Sequence, residues 1–107
     1  MVYGPYEFFP SGTYTASFRI KTDDNSLGKT KVAVIEVAGE GGQFLASRDI
    51  DSSDFAASGK YQDFSLNFST HQQKLEFRVY FEGQAAVWVD KVEVKPEPSL
   101  LQRLFGR

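Results

Sequence analysis

The sequence predicts an all-β protein, a jelly-roll-like antiparallel β-sandwich with a short C-terminal helical tail. Apolar and polar residues alternate with period two in several segments, as they do in strands that bury one face. These segments recur roughly every dozen residues and are joined by turns rich in Gly and Ser, which is typical of two packed sheets. No helical period is present before the prolines at positions 96 and 98.

The clearest strand pattern runs from Lys74 to Gly83. Its alternating apolar residues are Leu75, Phe77, Val79 and Phe81. After a turn at Gly83-Gln84, a second strand begins at Val87, and we interpret the two strands as a β-hairpin. The apolar phase of the second strand slips near Asp90-Lys91, which predicts a β-bulge at that point.

The rest of the chain follows the same rule. Strands are predicted at residues 12–21, 30–38, 44–50 and 61–68, after an extended arm at 4–12. The strand at 30–38 also carries Val32 and Val34 on its second face, which predicts a central strand covered on both sides. The predicted core comprises Tyr14, Phe18, Ile35, Phe55, Phe64, Leu66, Phe68, Phe77, Val79 and Phe81.

Composition excludes several classes of function. The 107 residues suffice for one domain with its own core. Twelve basic and 14 acidic residues give a net charge of −2, which argues against a nucleic-acid partner. The absence of cysteine excludes disulfides, thiolate catalysis and cysteine-ligated zinc. No apolar run reaches the length of about 18 residues that a membrane span needs.

The residues that enzymes commonly use do not form a recognisable set, so we predict that the chain is not an enzyme. The single histidine, His71, lies in a polar loop and is expected to be solvated surface. Asp49, Asp51 and Asp54 are close in sequence, and we interpret them as turn and cap residues before Phe55 rather than as a catalytic carboxylate pair.

The predicted domain boundaries place the sandwich at residues 1–95, a stiff linker at 96–98 and an amphipathic helix at 99–107. The apolar residues of that helix are Leu100, Leu101, Leu104 and Phe105. A helix of about two turns is not stable alone in water. We therefore expect it to pack against its own sandwich, a neighbouring domain or a second copy of the chain.

The chain resembles the galactose-binding-like β-sandwich of many carbohydrate-binding modules over residues 4–95. The resemblance rests on Gly4-Pro5-Tyr6, Gly12-Thr13-Tyr14, Phe18-Arg19-Ile20-Lys21, Val34-Ile35-Glu36-Val37, Ser53-Asp54-Phe55, Tyr61-Gln62-Asp63-Phe64, Phe77-Arg78-Val79 and Val89-Asp90-Lys91-Val92. It implies a non-catalytic, extracellular or cell-surface module. It also implies a structural calcium ion at Asp90, for which Glu7 is the acidic partner on the first strand; otherwise Asp90 binds the amides of its own bulge.

The outward faces of the strands carry the predicted ligand site. Sequential antiparallel pairing would place on one face Arg19, Glu36, Gln62, Asn67, Arg78, Tyr80 and Trp88. Trp88 and Tyr80 would then stack on sugar rings, while Arg19, Glu36 and Arg78 would bind hydroxyl groups. In the alternative interpretation, the charged residues form a structural ion-pair ladder under the N-terminal arm, and Trp88 closes one end of the sandwich.

The sequence thus predicts a carbohydrate-binding accessory module of a larger protein, with glycan as its partner. The alternative is a structural or assembly domain that contacts neighbouring domains or identical chains. The outward-facing valines at 32 and 34 and the apolar tail favour that alternative.

Overall fold

The computed structural model describes residues 2–3, 8–71 and 73–97. The strands in these ranges are β1 (Val2–Tyr3), β2 (Phe8–Phe9), β3 (Gly12–Thr22), β4 (Lys31–Ala38), β5 (Phe44–Asp51), β6 (Gln62–Thr70), β7 (Gln73–Lys74), β8 (Glu76–Phe81) and β9 (Val87–Pro96). Two 3-10 helices, Glu40–Gly42 and Ser52–Asp54, lie in the loops that flank β5. The predicted helical tail, residues 99–107, lies outside the described residues.

The strands form an all-β sandwich, as the sequence predicts. One sheet has four strands in the order β1-β8-β4-β5, and the other has three in the order β6-β3-β9. A two-stranded sheet of β2 and β7 accompanies them, and every pairing is antiparallel. Of the described strands that follow one another in sequence, only β4 and β5 are paired, so the chain repeatedly crosses between the sheets.

The predicted hairpin of β8 and β9 is wrong. β8 pairs with β1 and β4 in the four-stranded sheet, whereas β9 pairs with β3 in the three-stranded sheet. Alternation establishes that each segment is a strand with one buried face. It does not determine which strand lies beside it in the sheet. Here the short connection at residues 82–86 carries the chain from one sheet to the other.

The predicted bulge in β9 is confirmed. Arg19 lies opposite Lys91 and Ile20 lies opposite Val89, which leaves Asp90 as the extra residue. Because neighbouring side chains point to opposite faces, one extra residue brings the second half of the strand back into phase. The valines on both sides of the bulge therefore pack against the core, namely Val87, Val89, Val92 and Val94.

The core lies between the two sheets and matches the predicted set at every position except Phe81. The side chains of Phe18, Ile35 and Val79 are fully buried, whereas Phe81 is 43% exposed. Phe81 shares the inward phase of Phe77, but it is the last residue of β8, and the burial of that phase ends before it.

The central position of β4, between β8 and β5, is also confirmed. Ala33 and Ile35 are fully buried on one face, and Glu36 is only 5% exposed on the other. Val32, predicted to face outward, instead belongs to the core cluster and is fully buried. The reason is a register irregularity against β5 between Lys31 and Ala33, which turns the residue between them inward.

The aspartates before Phe55 have structural roles. The Asp51 amide donates a hydrogen bond of 2.8 Å to the Asp54 carboxylate across the 3-10 helix, as expected for a cap. Asp49 is not a turn residue but lies within β5, where its carboxylate is 3.7 Å from the Lys31 ammonium group. His71 is exposed, in agreement with the prediction.

The contrast between Phe77 and Phe81 provides a test of the core assignment within one strand. Phe77→Ala should lower the free energy of unfolding by about 3–5 kcal/mol, because a buried ring leaves a cavity. Phe81→Ala should lower it by about 1 kcal/mol or less, because nearly half of that side chain is already solvated. Urea denaturation of both variants measures the difference. Equal losses at the two positions would contradict the assignment.

Candidate functional site

The predicted ligand-binding residues lie on two opposite outer surfaces. Glu36, Arg78 and Tyr80 are on the outer face of the four-stranded sheet, while Arg19 and Trp88 are on the outer face of the three-stranded sheet. The prediction of one shared face is therefore corrected, because it depended on pairing strands in sequence order.

Two further members of the predicted face also separate. Asn67 lies opposite Thr15 and is exposed, which places it on the outer face of the three-stranded sheet. Gln62 lies opposite the buried Ile20, in phase with the core residues of β6. Its side-chain amide donates to the Asp54 carbonyl (2.8 Å) and its oxygen accepts from the Ala56 amide (2.9 Å), so Gln62 holds the loop before β6.

The outer face of the four-stranded sheet carries an ion-pair network, here called the ladder face. Glu36 and Arg78 are directly opposite each other on β4 and β8, and the Arg78 Nη1 lies 3.1 Å from the Glu36 carboxylate. The Nε and Nη2 of Arg78 donate to one oxygen of Glu76, at 2.8 and 2.5 Å. Hydrogen bonds from Arg78 to Glu76 and Glu36 raise the pKa of Arg78, so the guanidinium stays charged.

The ladder face agrees in part with the structural interpretation of the charged residues. Glu36 and Arg78 form the expected pair, but Arg19 is on the other sheet and is not a member. Tyr80 projects beside this network with 43% of its surface exposed. The carboxylate of Glu36 is almost inaccessible, because the residue is only 5% exposed.

The outer face of the three-stranded sheet carries two exposed aromatic rings, and we call it the aromatic face. Trp88 on β9 is the direct partner of Lys21 on β3, and Tyr61 immediately precedes β6 on the other side of that strand. The Lys21 Nζ lies 4.8 Å from the centroid of the Trp88 ring and 4.9 Å from that of Tyr61. Trp88 is 44% and Tyr61 37% exposed, so Trp88 does not close an end of the sandwich.

Charged side chains continue the aromatic face along the strands. The Arg19 guanidinium lies 3.3 Å from Asp90, 3.6 Å from Asp63 and 5.7 Å from the centre of the Tyr61 ring. Further along, the Thr15 hydroxyl donates to the side-chain oxygen of Asn67 at 2.8 Å. The aromatic face thus has its exposed rings around Lys21 and hydrogen-bonding groups further along the strands.

Sequence reasoning missed Tyr61 and Lys21 as members of this face. The alternation of β6 already places Tyr61 outward, because it is out of phase with the buried Phe64. Lys21 is likewise outward on β3 by phase. The juxtaposition of both with Trp88 could not be found in this way, because it requires knowing that β3 lies between β6 and β9.

This arrangement has the chemistry of a sugar-binding surface. Pyranose rings have apolar faces and hydroxyl rims, and aromatic rings on a rigid sheet offer a stacking surface with little loss of entropy. Arg and Asp side chains beside the rings can donate to and accept from hydroxyl groups. The ladder face offers the exposed ring of Tyr80 and an ion-pair network whose groups already bond to each other.

The described residues around Asp90 include no cluster of acidic or histidine side chains for a calcium ion. Calcium binds six to eight oxygen ligands, and the described ranges contain no group of three or more His, Cys, Asp or Glu side chains that could hold a metal ion. The Asp90 carboxylate instead faces the Arg19 guanidinium. Glu7, the other acidic residue implied by the resemblance, lies outside the described residues, so calcium at Asp90 stays a prediction.

Comparisons with known proteins bear on the fold. No protein-family model matches the sequence, and no curated protein matches it. Among solved structures, the chain is similar to one described as the EclA C-terminal domain, a sugar-binding protein, with a TM-score of 0.53 and 12% identity. The alignment covers 89% of this chain and 65% of that one, so the chain spans less than two thirds of that length. At 12% identity, the likeness shows only that this chain and that sugar-binding domain have similar folds. No helix in the described part of the chain is long and apolar enough to cross a membrane.

The two arginine networks should differ in their effect on stability. Arg78→Met leaves the Glu36 carboxylate buried without its cation, and we expect a loss of about 3 kcal/mol in the free energy of unfolding. Arg19→Met removes ion pairs whose side chains are 40–61% exposed, and the loss should be about 1 kcal/mol or less. Methionine preserves the apolar stem in both variants. Urea denaturation measures the free energy of unfolding of both variants. A larger loss for Arg19→Met than for Arg78→Met would contradict the structural role of the ladder face.

Calcium at Asp90 is tested by chelation. A bound ion stabilises the folded protein by mass action, so EDTA should lower the melting temperature if the site is real. Asp90→Asn serves as the control, because a variant without the site should not respond to EDTA. An identical melting temperature of the unsubstituted protein with and without EDTA would remove the metal prediction.

Proposed function

We propose that this chain is a non-catalytic carbohydrate-binding module of a larger protein and that it binds glycan on its aromatic face. The observation that carries the proposal is the pair of exposed rings, Tyr61 and Trp88, on either side of Lys21. Trp88 is held by the pairing of β9 with β3, and Tyr61 immediately precedes the first paired residue of β6. The stacking surface is therefore largely formed before the ligand binds.

The fold supports this proposal at a coarser level. The likeness to the sugar-binding EclA domain is consistent with a glycan partner and with an extracellular or cell-surface location. We further assign the sandwich to the jelly-roll, galactose-binding-like type. The repeated crossing of the chain between the two sheets supports that assignment.

The aromatic face is favoured over the ladder face for a physical reason. Binding groups must be accessible, and Glu36 is only 5% exposed while three nitrogen atoms of Arg78 already bond to carboxylates. We therefore assign stacking to Trp88 and Tyr61. Hydroxyl binding is assigned to Arg19 and its two aspartates, because these ion-paired side chains are 40–61% exposed. The competing assignment is a site on the ladder face, with the contacts predicted there from the sequence: Tyr80, Arg78 and Glu36.

A structural or assembly domain is the second candidate. Phe44 favours it, because this ring is 66% exposed on the edge strand β5. Val32, which would favour an assembly domain as an outward-facing side chain, lies in the core and does not support it. The contribution of the apolar tail concerns residues outside the described ranges.

The test is a glycan array followed by affinity electrophoresis of surface variants. Trp88→Ala should weaken binding of the array ligand about five-fold or more, because a stacking contact contributes about 1 kcal/mol beyond its buried area. Tyr61→Ala should act in the same direction. Tyr80→Ala is the matched control, an equally exposed ring on the opposite sheet, and should bind normally.

Two outcomes would contradict the proposal. If Tyr80→Ala weakens binding and Trp88→Ala does not, with both variants folded by circular dichroism, the site is on the ladder face. If the array shows no ligand and light scattering gives a mass above that of one chain, the assembly function is favoured instead.

A further inference from the structure

We propose that the aromatic face selects an acidic sugar, and that Lys21 binds its anionic group, a carboxylate or a sulfate. This inference rests on the proposed function, because it names the class of glycan that the same surface takes. It makes Lys21 the residue that determines specificity, while the rings of Trp88 and Tyr61 supply stacking.

The first observation concerns the charges on the face. Arg19 is matched by Asp63 and Asp90, and the Lys91 ammonium group lies 3.5 Å from the Glu93 carboxylate. Within the described part of the chain, the ammonium group of Lys21 lies within ion-pair distance of no carboxylate. Its charge is compensated instead by the two aromatic rings.

The second observation is how Lys21 is held. Its Cα lies opposite that of Trp88 in the sheet, and its Nζ is less than 5 Å from both ring centroids. Ring faces attract a cation but offer no strong hydrogen-bond acceptor. The three N–H donors of the ammonium group therefore retain their capacity for charge-assisted hydrogen bonds to an anion.

These two observations define the ligand. Lys21 lies over both rings, so a sugar would stack on the part of Trp88 or Tyr61 that Lys21 leaves exposed. An anionic substituent on the edge of that sugar would then be bound by the ammonium group. The carboxylates beside Arg19 disfavour a second anion at that end of the face and accept bonds from hydroxyl groups instead. The two ion-paired cations of this face, Arg19 and Lys91, meet three carboxylates, so they do not attract polyanions in general. Selection therefore depends on the position of the Lys21 charge.

The experiment uses the full chain and ligands that differ only in charge. A glycan array should present uronic, sialylated and sulfated glycans beside their methyl-esterified, desialylated and unsulfated counterparts. Affinity electrophoresis in polygalacturonic acid and in its methyl ester, and in dextran sulfate and dextran, then separates the carboxylate source from the sulfate source. In one of these pairs, we expect the protein to bind the acidic polymer at least about ten-fold more tightly than the neutral one. This is the difference expected for a charged hydrogen bond.

Variants connect the preference to Lys21. Lys21→Gln should reduce the acidic-to-neutral ratio to about one while binding of the neutral ligand persists, and Lys21→Arg should restore the preference. Lys91→Gln is the matched control, a cation on the same face that already pairs with Glu93, and it should leave the ratio unchanged.

The failures of the two proposals are distinguishable. Equal binding of acidic and neutral partners, weakened by Trp88→Ala, overturns the acidic-sugar inference and leaves carbohydrate binding in place. An acidic preference that persists in Lys21→Gln overturns the role of Lys21. The absence of any array ligand overturns both the inference and the proposed function.

Discussion

The burial of one side of β3 is the constraint on which the rest of the structure depends. Its inward residues lie between the sheets, and none is more than 8% exposed: Tyr14, Ala16, Phe18, Ile20 and Thr22. Because side chains alternate along a strand, burying this set leaves Arg19 and Lys21 no position except the outer face. A register slip of one residue would exchange the two sets and place the charges in the core. The core and the candidate site are therefore determined by the same alternation.

The bulge at Asp90 extends this constraint to β9. Without an extra residue, the valines before and after that position would point to opposite faces of the sheet. The insertion keeps both valine pairs against the core and keeps Trp88 opposite Lys21. It also places the Asp90 carboxylate beside Arg19. The bulge thus keeps the valines of β9 in the core while Trp88 and Asp90 remain beside the charged residues of β3.

The long strands, the phase of most of their residues and the bulge could be predicted from the sequence, because each depends on the spacing of neighbouring residues. Val32 is an exception, because the register of β4 is irregular there. The partners of the strands could not be predicted, because pairing depends on which surfaces bury the most area together across the whole chain. The error in pairing β8 with β9 placed Tyr80 beside Trp88, although the two are on opposite surfaces. The same error hid the grouping of Lys21 with Trp88, even though the outward phase of Lys21 was evident.

The two outer faces handle cations in different ways, and this difference separates stability from binding. On the ladder face, one guanidinium is shared by two carboxylates, and removing it would leave Glu36 as a buried charge. On the aromatic face, Lys21 lies between rings that stabilise its charge without consuming its hydrogen-bond donors. A largely buried cation shared by two carboxylates, as Arg78 is, has little to offer a ligand, since the new contact must replace an existing one. A cation held by rings keeps that contact available, and the same rings provide the surface on which the sugar stacks.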